Sequence, residues 1–317
     1  MEIIRNVNNW PTQLSAGSVA LGFFDGVHLG HQRVINSAIR EAKQRLLPSV
    51  VLSFAAHPLS LINPAAAPKL IMPLEEKINL IGQLGVDYLL LLPVTSSLIT
   101  TEAYDFASMV LAKVLKTKHI AVGYNYSFGY QRQGTAEKLS DWGRTLGFEV
   151  SVISPVTYDG QIISSSRIRK LISSGEVEKA AALLGRWPTI SGQVVHGTGR
   201  GRLFGFPTAN ICIDSGLLTP RFGVYAVRSL YEGKYVLGAA NMGLAPTCGC
   251  NPARFEVNLF DFNHDLYGEH LQVELISFLR PERKFRSTAE LKNQMKTDKE
   301  KALRILAYAD QPQFFLT

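Results

Sequence analysis

The sequence predicts an α/β domain followed by an all-β domain that ends in a helix. Three observations carry this. Over the first half of the chain, short apolar runs alternate with amphipathic helical stretches. After Gly185-Arg186-Trp187-Pro188 the alternation stops, and short β-rich runs follow one another. The chain has 317 residues, enough for two domains. The expected boundary divides residues 1–185 from 186–317.

In the first domain, strand-like runs fall at 19–23, 49–54, 88–93, 120–122 and 148–153. Helical patterns lie between them at 32–45, 74–84, 102–116 and 136–146. Such alternation implies βαβ units, hence a parallel sheet with right-handed crossovers and helices on both faces. Ligands of such sheets bind beyond the carboxyl ends of the strands. Two further helical stretches, 166–173 and 176–184, precede the boundary. Beyond it, β-rich runs at 189–195, 223–230, 235–241, 255–260 and 271–278 are separated by turn residues, the pattern of a small antiparallel barrel. The closing helix, 287–306, opens with Ser287-Thr288-Ala289-Glu290, a capping box.

Bulk properties exclude several classes. Hydrophobic residues make up 46% and charged residues 19%, which describes a folded globular chain rather than a disordered one. The net charge of +7 raises nucleic-acid binding, but it is spread thinly. Residues 1–185 hold 17 Lys and Arg against 14 Asp and Glu, and residues 186–317 hold 16 against 12. No basic block stands out, so anionic small molecules such as ATP are expected, and no nucleic acid. Three cysteines (Cys212, Cys248, Cys250) argue against a disulfide framework and are read as reduced. No apolar run is long enough to span a bilayer, and the amino terminus does not read as a signal peptide. A cytoplasmic protein with no membrane attachment is expected.

The most informative segment is His28-Leu29-Gly30-His31. It follows an apolar strand and the Asp25-Gly26 turn signal, and it precedes a helix. A helix N-terminus there presents backbone N–H groups and a positive dipole end to a phosphate. Imidazoles can donate hydrogen bonds to a phosphorus centre as charge develops. Taken alone the motif is weak, and a buried structural histidine is its commoner explanation. Its companions change the balance. Gly123-Tyr124-Asn125-Tyr126-Ser127-Phe128-Gly129 follows the fourth strand of the alternation, with glycines for close approach, Asn125 as a recognition group, and aromatics that core packing would also explain. Ser164-Ser165-Ser166-Arg167-Ile168-Arg169 sets hydroxyls and two guanidiniums at another helix start, either a plain cap with surface arginines or a pyrophosphate clamp. His57-Pro58 follows the second strand.

In the second half, the stretch 197–210 is rich in glycine and basic residues, as a phosphate-wrapping loop requires, and it lacks the Walker A signature. Thr208 and Asn210 offer oxygen donors that suit Mg²⁺. Glu256 and Asp261 are both eligible as a general base, and spacing alone does not choose between them.

Taken in order, these segments resemble the bacterial bifunctional riboflavin kinase/FMN adenylyltransferase family over nearly the whole chain. The matching stretches are 22–31, 123–129, 164–169, 200–210 and 241–262, extended by Arg280-Pro281-Glu282-Arg283-Lys284-Phe285 and the following helix. The resemblance implies a Rossmann-like nucleotidyltransferase domain followed by a riboflavin kinase barrel. It implies phosphorylation of riboflavin by ATP to FMN and ADP, then adenylylation of FMN by ATP to FAD and pyrophosphate. His28 and His31 would stabilise the transferring phosphate, with Gly26, Gly30, Gly123 and Asn125 around the nucleotide. Ser165, Arg167 and Arg169 would close on pyrophosphate. Gly201, Arg202 and Gly205 would cover ATP in the kinase, and Thr208 and Asn210 would hold Mg²⁺. Glu256, rather than Asp261, matches the family's general base. His57, Arg280 and Glu282 would lie on the flavin side.

The chain departs from the family pattern in three places. Phe54-Ala55-Ala56-His57-Pro58 lacks the usual acid and first proline, Asn258 replaces a histidine, and Cys248 replaces a phenylalanine. Two other readings follow: a paralogue whose adenylyltransferase is weak, and a non-catalytic flavin-binding regulator.

Overall fold

The structure is a computed structural model that describes residues 1–11, 14, 16–196, 207–244 and 253–309. Its contacts divide the chain into two units, residues 1–69 with 73–163 and residues 70–72 with 164–317.

The first unit is built on a six-stranded parallel sheet: β1 (Glu2–Ile4), β2 (Ser18–Leu21), β3 (Ser49–Phe54), β4 (Tyr88–Leu92), β5 (His119–Gly123) and β6 (Glu149–Ile153). Their order is β1-β4-β3-β2-β5-β6. The chain therefore runs outward from β2 through β3 to β4, then returns across β2 to β5. That reversal is a topological switch point, where the loops after β2 and β5 leave a crevice. β2 is buried at every position, as a strand covered on both faces must be. Val19, Leu21, Val50, Leu52, Ile120 and Val122 face one core with Phe106, Leu111, Leu115 and Leu139. Each such side chain stabilises the unit by about 1.5–3 kcal/mol. Helix α1 (Leu29–Arg45) lies against β2, β3 and β5, α2 (Leu74–Gln83) follows β3, and α3 (Ala136–Leu146) packs on β6.

The expected elements recur within a few residues of their places, and β1 is an addition. The expected helix over 102–116 departs in kind. A single turn, Ala103–Asp105, continues as a π-helix over Phe106–Val114, with the Leu115 N–H reaching Val110 O at 2.9 Å.

The second unit opens with α4 (Ser165–Ser174) and α5 (Val177–Leu184), which the sequence reading assigned to the first domain. They group with the barrel because Val177 joins its core, the Arg221 N–H bonds Ile172 O, and the Leu275 N–H bonds Pro188 O. By contacts, residues 164–185 thus group with the barrel. The barrel is closed and antiparallel, with β7 (Thr189–Val195), β8 (Ala209–Cys212), β9 (Gly223–Tyr231), β10 (Lys234–Leu244), β11 (Ala253–Leu259) and β12 (His270–Arg280) in the order β7-β8-β11-β10-β9-β12. Strand β8 takes up Ala209 and Asn210, which the sequence suggested were loop. Helix α6 (Thr288–Leu306) closes the chain. The Ser287 hydroxyl accepts the Glu290 N–H at 3.1 Å, and the Glu290 carboxylate accepts the Arg286 N–H at 2.9 Å, so the capping box forms one residue early on its return bond.

Candidate active sites

The first site lies at the switch point. His28 is not merely near the start of α1; it is the N-cap, because the helix begins three residues earlier than periodicity suggested. Its Nδ1 accepts the His31 N–H at 3.2 Å. Histidine is not among the favoured caps, which are Ser, Thr, Asp and Asn. Accepting at Nδ1 implies the tautomer whose proton sits on Nε2, a donor suited to phosphate oxygen. His31 stacks on His28 with ring centres 3.5 Å apart, and the Phe24 ring meets His31 edge-on at 5.3 Å. Gly30 makes this possible, since a Cβ there would lie 3.1 Å from His28 Cε1.

The loop from β2 to this cap is strained. Phe24, Gly26 and Val27 have φ of 56°, 86° and 36°. For a β-branched valine that is a true outlier, with a cost of about 1–3 kcal/mol per strained residue. Phe24 and Val27 are buried, and Gln32 Nε2 bonds Val27 O at 2.9 Å, so packing holds the loop in this form.

Charge at the helix starts separates α1 and α4 from their neighbours. Helices α2, α3, α5 and α6 each carry an acid in the first turn, whereas α1 and α4 carry none. No acidic side chain of the first turn therefore offsets their positive dipole ends. At α4, Ser164 caps through Oγ to the Arg167 N–H at 3.3 Å, Ser165 opens the helix, and Arg167 and Arg169 are half-buried. Across the switch point from β2, Gly123 ends β5 and Asn125 is exposed just beyond it. Tyr126 and Phe128 pack on the core, which settles these aromatics as packing. On the other side of β2, the His57 ring meets Phe23 edge-on at 4.9 Å, and its Nδ1 accepts the Leu59 N–H at 3.1 Å. His119 has a different surrounding. It lies at the amino end of β5 between Ser18 and Ser151 hydroxyls, each at 2.8 Å, and burial pushes its pKa down.

The second site is a row of side chains on the outer face of the barrel. Asn210 on β8 pairs directly with Glu256 on β11, and Glu256 pairs with Asn241 on β10. Alternation along β11 puts Phe255 and Val257 inside and leaves Arg254, Glu256 and Asn258 outside. Arg254 Nε reaches Glu256 Oε1 and Asn210 Oδ1, both at 2.7 Å. Asn241 Nδ2 donates to Glu282 Oε1 at 3.1 Å. Asp261 is remote from this row: it lies past the end of β11, 89% exposed, and pairs with Lys299 of α6 at 3.3 Å. Arg280 turns to α6 as well, its Nε 3.0 Å from both Asp298 oxygens and its Nη2 2.7 Å from Oδ2. A separate open cleft on the inward side of β11 is lined by Val194, Thr208, Val257, Phe262, His264 and Tyr267, among others.

These two centres coincide with two family models. The FAD synthetase model matches residues 11–167, and the riboflavin kinase model matches residues 184–306. The chain is 37% identical to the bifunctional riboflavin kinase/FMN adenylyltransferase of Bacillus subtilis, over 90% of this chain and 91% of that one. It belongs to that family. The Escherichia coli K12 relative of the same description is also 37% identical, over 94% of this chain and 96% of that one. A solved structure described as a macrolide-efflux protein from Streptococcus pneumoniae superposes with a TM-score of 0.83 at 35% identity, covering 95% of this chain and 98% of that one. Among the described residues, no helix is long and apolar enough to cross a membrane.

Gly201, Arg202 and Gly205, expected to cover ATP, lie outside the described residues, as do Cys248 and Cys250. The Asn258 departure has a visible effect: its Nδ2 donates to Pro207 O at 2.7 Å, tying β11 to the segment before Thr208. Ala55, at the other departure, keeps a backbone bond to Leu92 O at 3.0 Å. Thr208 and Asn210 supply a hydroxyl and an amide oxygen, hard donors that fit Mg²⁺. The Arg254 guanidinium already donates to Asn210 Oδ1 from Nε and Nη2, so this oxygen would reach a metal ion only if Arg254 moved aside. Sequence reasoning missed Arg254, Asn241, the cleft wall at 262–267 and Lys77. Only Lys77 left a signal, as a lysine on the apolar stripe Leu74, Ile78, Ile81 of an amphipathic helix.

Proposed function

We propose that the chain makes FAD in two ATP-consuming steps, with riboflavin phosphorylation in residues 186–317 and adenylyl transfer to FMN in residues 1–185. One observation carries this: each family region has a polar centre of its own, the His28 cap at a switch point and the Asn210–Glu256 pair on the barrel.

In the kinase step, the terminal ribityl hydroxyl attacks the γ-phosphorus of ATP, and ADP leaves. Glu256 takes the hydroxyl proton, its carboxylate oriented by Arg254. Thr208 and Asn210 would hold Mg²⁺, which supplies positive charge to the phosphate oxygens. Glu282, beside Asn241, would border the flavin, together with Arg280 at the base of α6. In the transfer step, a phosphate oxygen of FMN attacks the α-phosphorus of ATP, and the bond to pyrophosphate breaks. His28 donates from Nε2 to the developing charge, and the first-turn amides of α1 add to it. Asn125 holds the nucleotide, His57 the flavin, and Ser165, Arg167 and Arg169 the leaving pyrophosphate. Positioning and charge neutralisation account for most of the rate. A cytoplasmic setting, where ATP is available, fits both steps.

The test is to incubate the protein with riboflavin, ATP and Mg²⁺ and resolve the products by chromatography. FMN followed by FAD is expected. FMN alone would point to a silenced adenylyltransferase and an effect of Ala55-Ala56. The absence of both products would point to a non-catalytic flavin binder.

A further inference from the structure

Lys77 is a buried cation with no part in either reaction as described. It lies on α2 and is 4% exposed. Its Nζ lies 2.8 Å from Phe54 O, 3.3 Å from Phe23 O and 3.4 Å from Ser53 Oγ. The Ser53 hydroxyl gives its own hydrogen to Phe23 O at 3.0 Å, so toward Lys77 it can only accept. Three acceptors match the three N–H groups of an ammonium. A neutral amine has two, and its lone pair would face an oxygen. The geometry therefore calls for the charged form. Burial pushes this group down to about 8, and the buried Asp25, on the loop after β2, opposes that shift.

The partners occupy two different loops. Phe54 closes β3 and leads to His57, whereas Phe23 follows β2 and leads to His28. The ammonium also lies 4.5 Å over the Phe23 ring, whose edge contact is His57. One side chain thus ties the loop that delivers the phosphate-binding cap to the loop that delivers the flavin-side histidine. A buried lysine costs more to desolvate than a methionine of similar reach, so filling space does not account for it.

We propose that Lys77 is a positioning residue for adenylyl transfer, clamping the β2 and β3 loops so that the phosphate and flavin sides of the site stay in register. This rests on residues 1–185 being the adenylyltransferase. Lys77 is not a catalytic residue, since its bonds are to backbone carbonyls and Ser53.

The test compares wild type, Lys77→Met and Lys77→Arg in the full chain. FAD formation from FMN and riboflavin phosphorylation are assayed separately, alongside thermal midpoints and pH profiles. In Lys77→Met, kcat/KM for FAD formation should fall by about 10–100-fold, the cost of sub-ångström misplacement. The kinase activity of the same chain should stay within about twofold of wild type. Lys77→Arg should recover part of the loss. Wild-type FAD formation should also decline above about pH 8, as the ammonium deprotonates, whereas Lys77→Arg should not decline there. The titratable groups facing this position are Asp25 from the β2 loop and, through Phe23, His57 from the β3 loop; both are unchanged in the variants. Unaltered FAD formation in Lys77→Met overturns the proposal. So does an identical pH profile in wild type and Lys77→Arg, which remains readable even if the methionine variant folds poorly. A wild-type chain that makes no FAD from FMN would instead overturn the adenylyltransferase assignment, and the clamp's purpose with it.

Discussion

In the parallel sheet the candidate groups hang on loops beyond the strands, whereas in the barrel they stand on the strands themselves. His28, Asn125 and His57 follow β2, β5 and β3, and each depends on a loop held by packing, by a cap or by the Lys77 contacts. Asn210, Glu256 and Asn241 need no such support, because ladder register alone sets them side by side. The first design gathers backbone N–H groups and a dipole end, which suit a phosphate. The second gathers carboxylate and amide oxygens, which suit a proton and a hard cation. The first pays in strain at Phe24 and Val27; along the Asn210–Glu256–Asn241 row, no residue has a positive φ.

Several substitutions would break or sharpen this contrast. Glu256→Gln removes the proton acceptor and should lower riboflavin phosphorylation by about 10²–10⁴-fold, with FAD formation from supplied FMN retained. His28→Ala removes an Nε2 donor and the cap together. It should lower FAD formation by about 10²–10³-fold and leave phosphorylation intact, as separate steady-state assays would report. Asp298→Ala tests whether Arg280 is held for stability: it strands a half-buried guanidinium and should cost the barrel about 3 kcal/mol, read as a lower denaturation midpoint.

The smallest effect is a pH slope. The folded chain holds the Lys77 proton less tightly than the unfolded chain does, with about 8 against the ordinary 10.5. Between those values the unfolded state binds more protons, so the stability this group contributes rises with pH and is lost as pH falls through about 8. The midpoint of wild type relative to Lys77→Met should therefore climb between pH 8 and 10. A constant difference would remove burial of the charge as the cause.

The same contrast explains what could be read from the sequence. The loop site was legible because its residues sit next to strand ends, where an apolar run, a turn and a helix mark them within a dozen positions. Even so, the sequence placed the start of α1 at Gln32, since a histidine cap carries no propensity signal, and so His28 was read as near the helix rather than as its cap. The barrel row was only partly legible. Glu256 and Asp261 looked equivalent until β11 fixed which way each points, and the neighbour of Glu256 on β8 is distant in sequence. Arg254 and Asn241 left no trace because cross-strand pairing is a property of register, not of spacing along the chain. Lys77 was visible in principle as a charge on an apolar stripe, but only the carbonyls it meets give it meaning.

The central claim is that two separate centres act in sequence on one flavin. It is tested most directly by mixing His28→Ala and Glu256→Gln chains with riboflavin, ATP and Mg²⁺ and measuring FAD. Each variant alone should make no appreciable FAD from riboflavin, and the mixture should make it, because FMN released by one is taken up by the other. A folded mixture that yields no FAD would contradict the two-centre account.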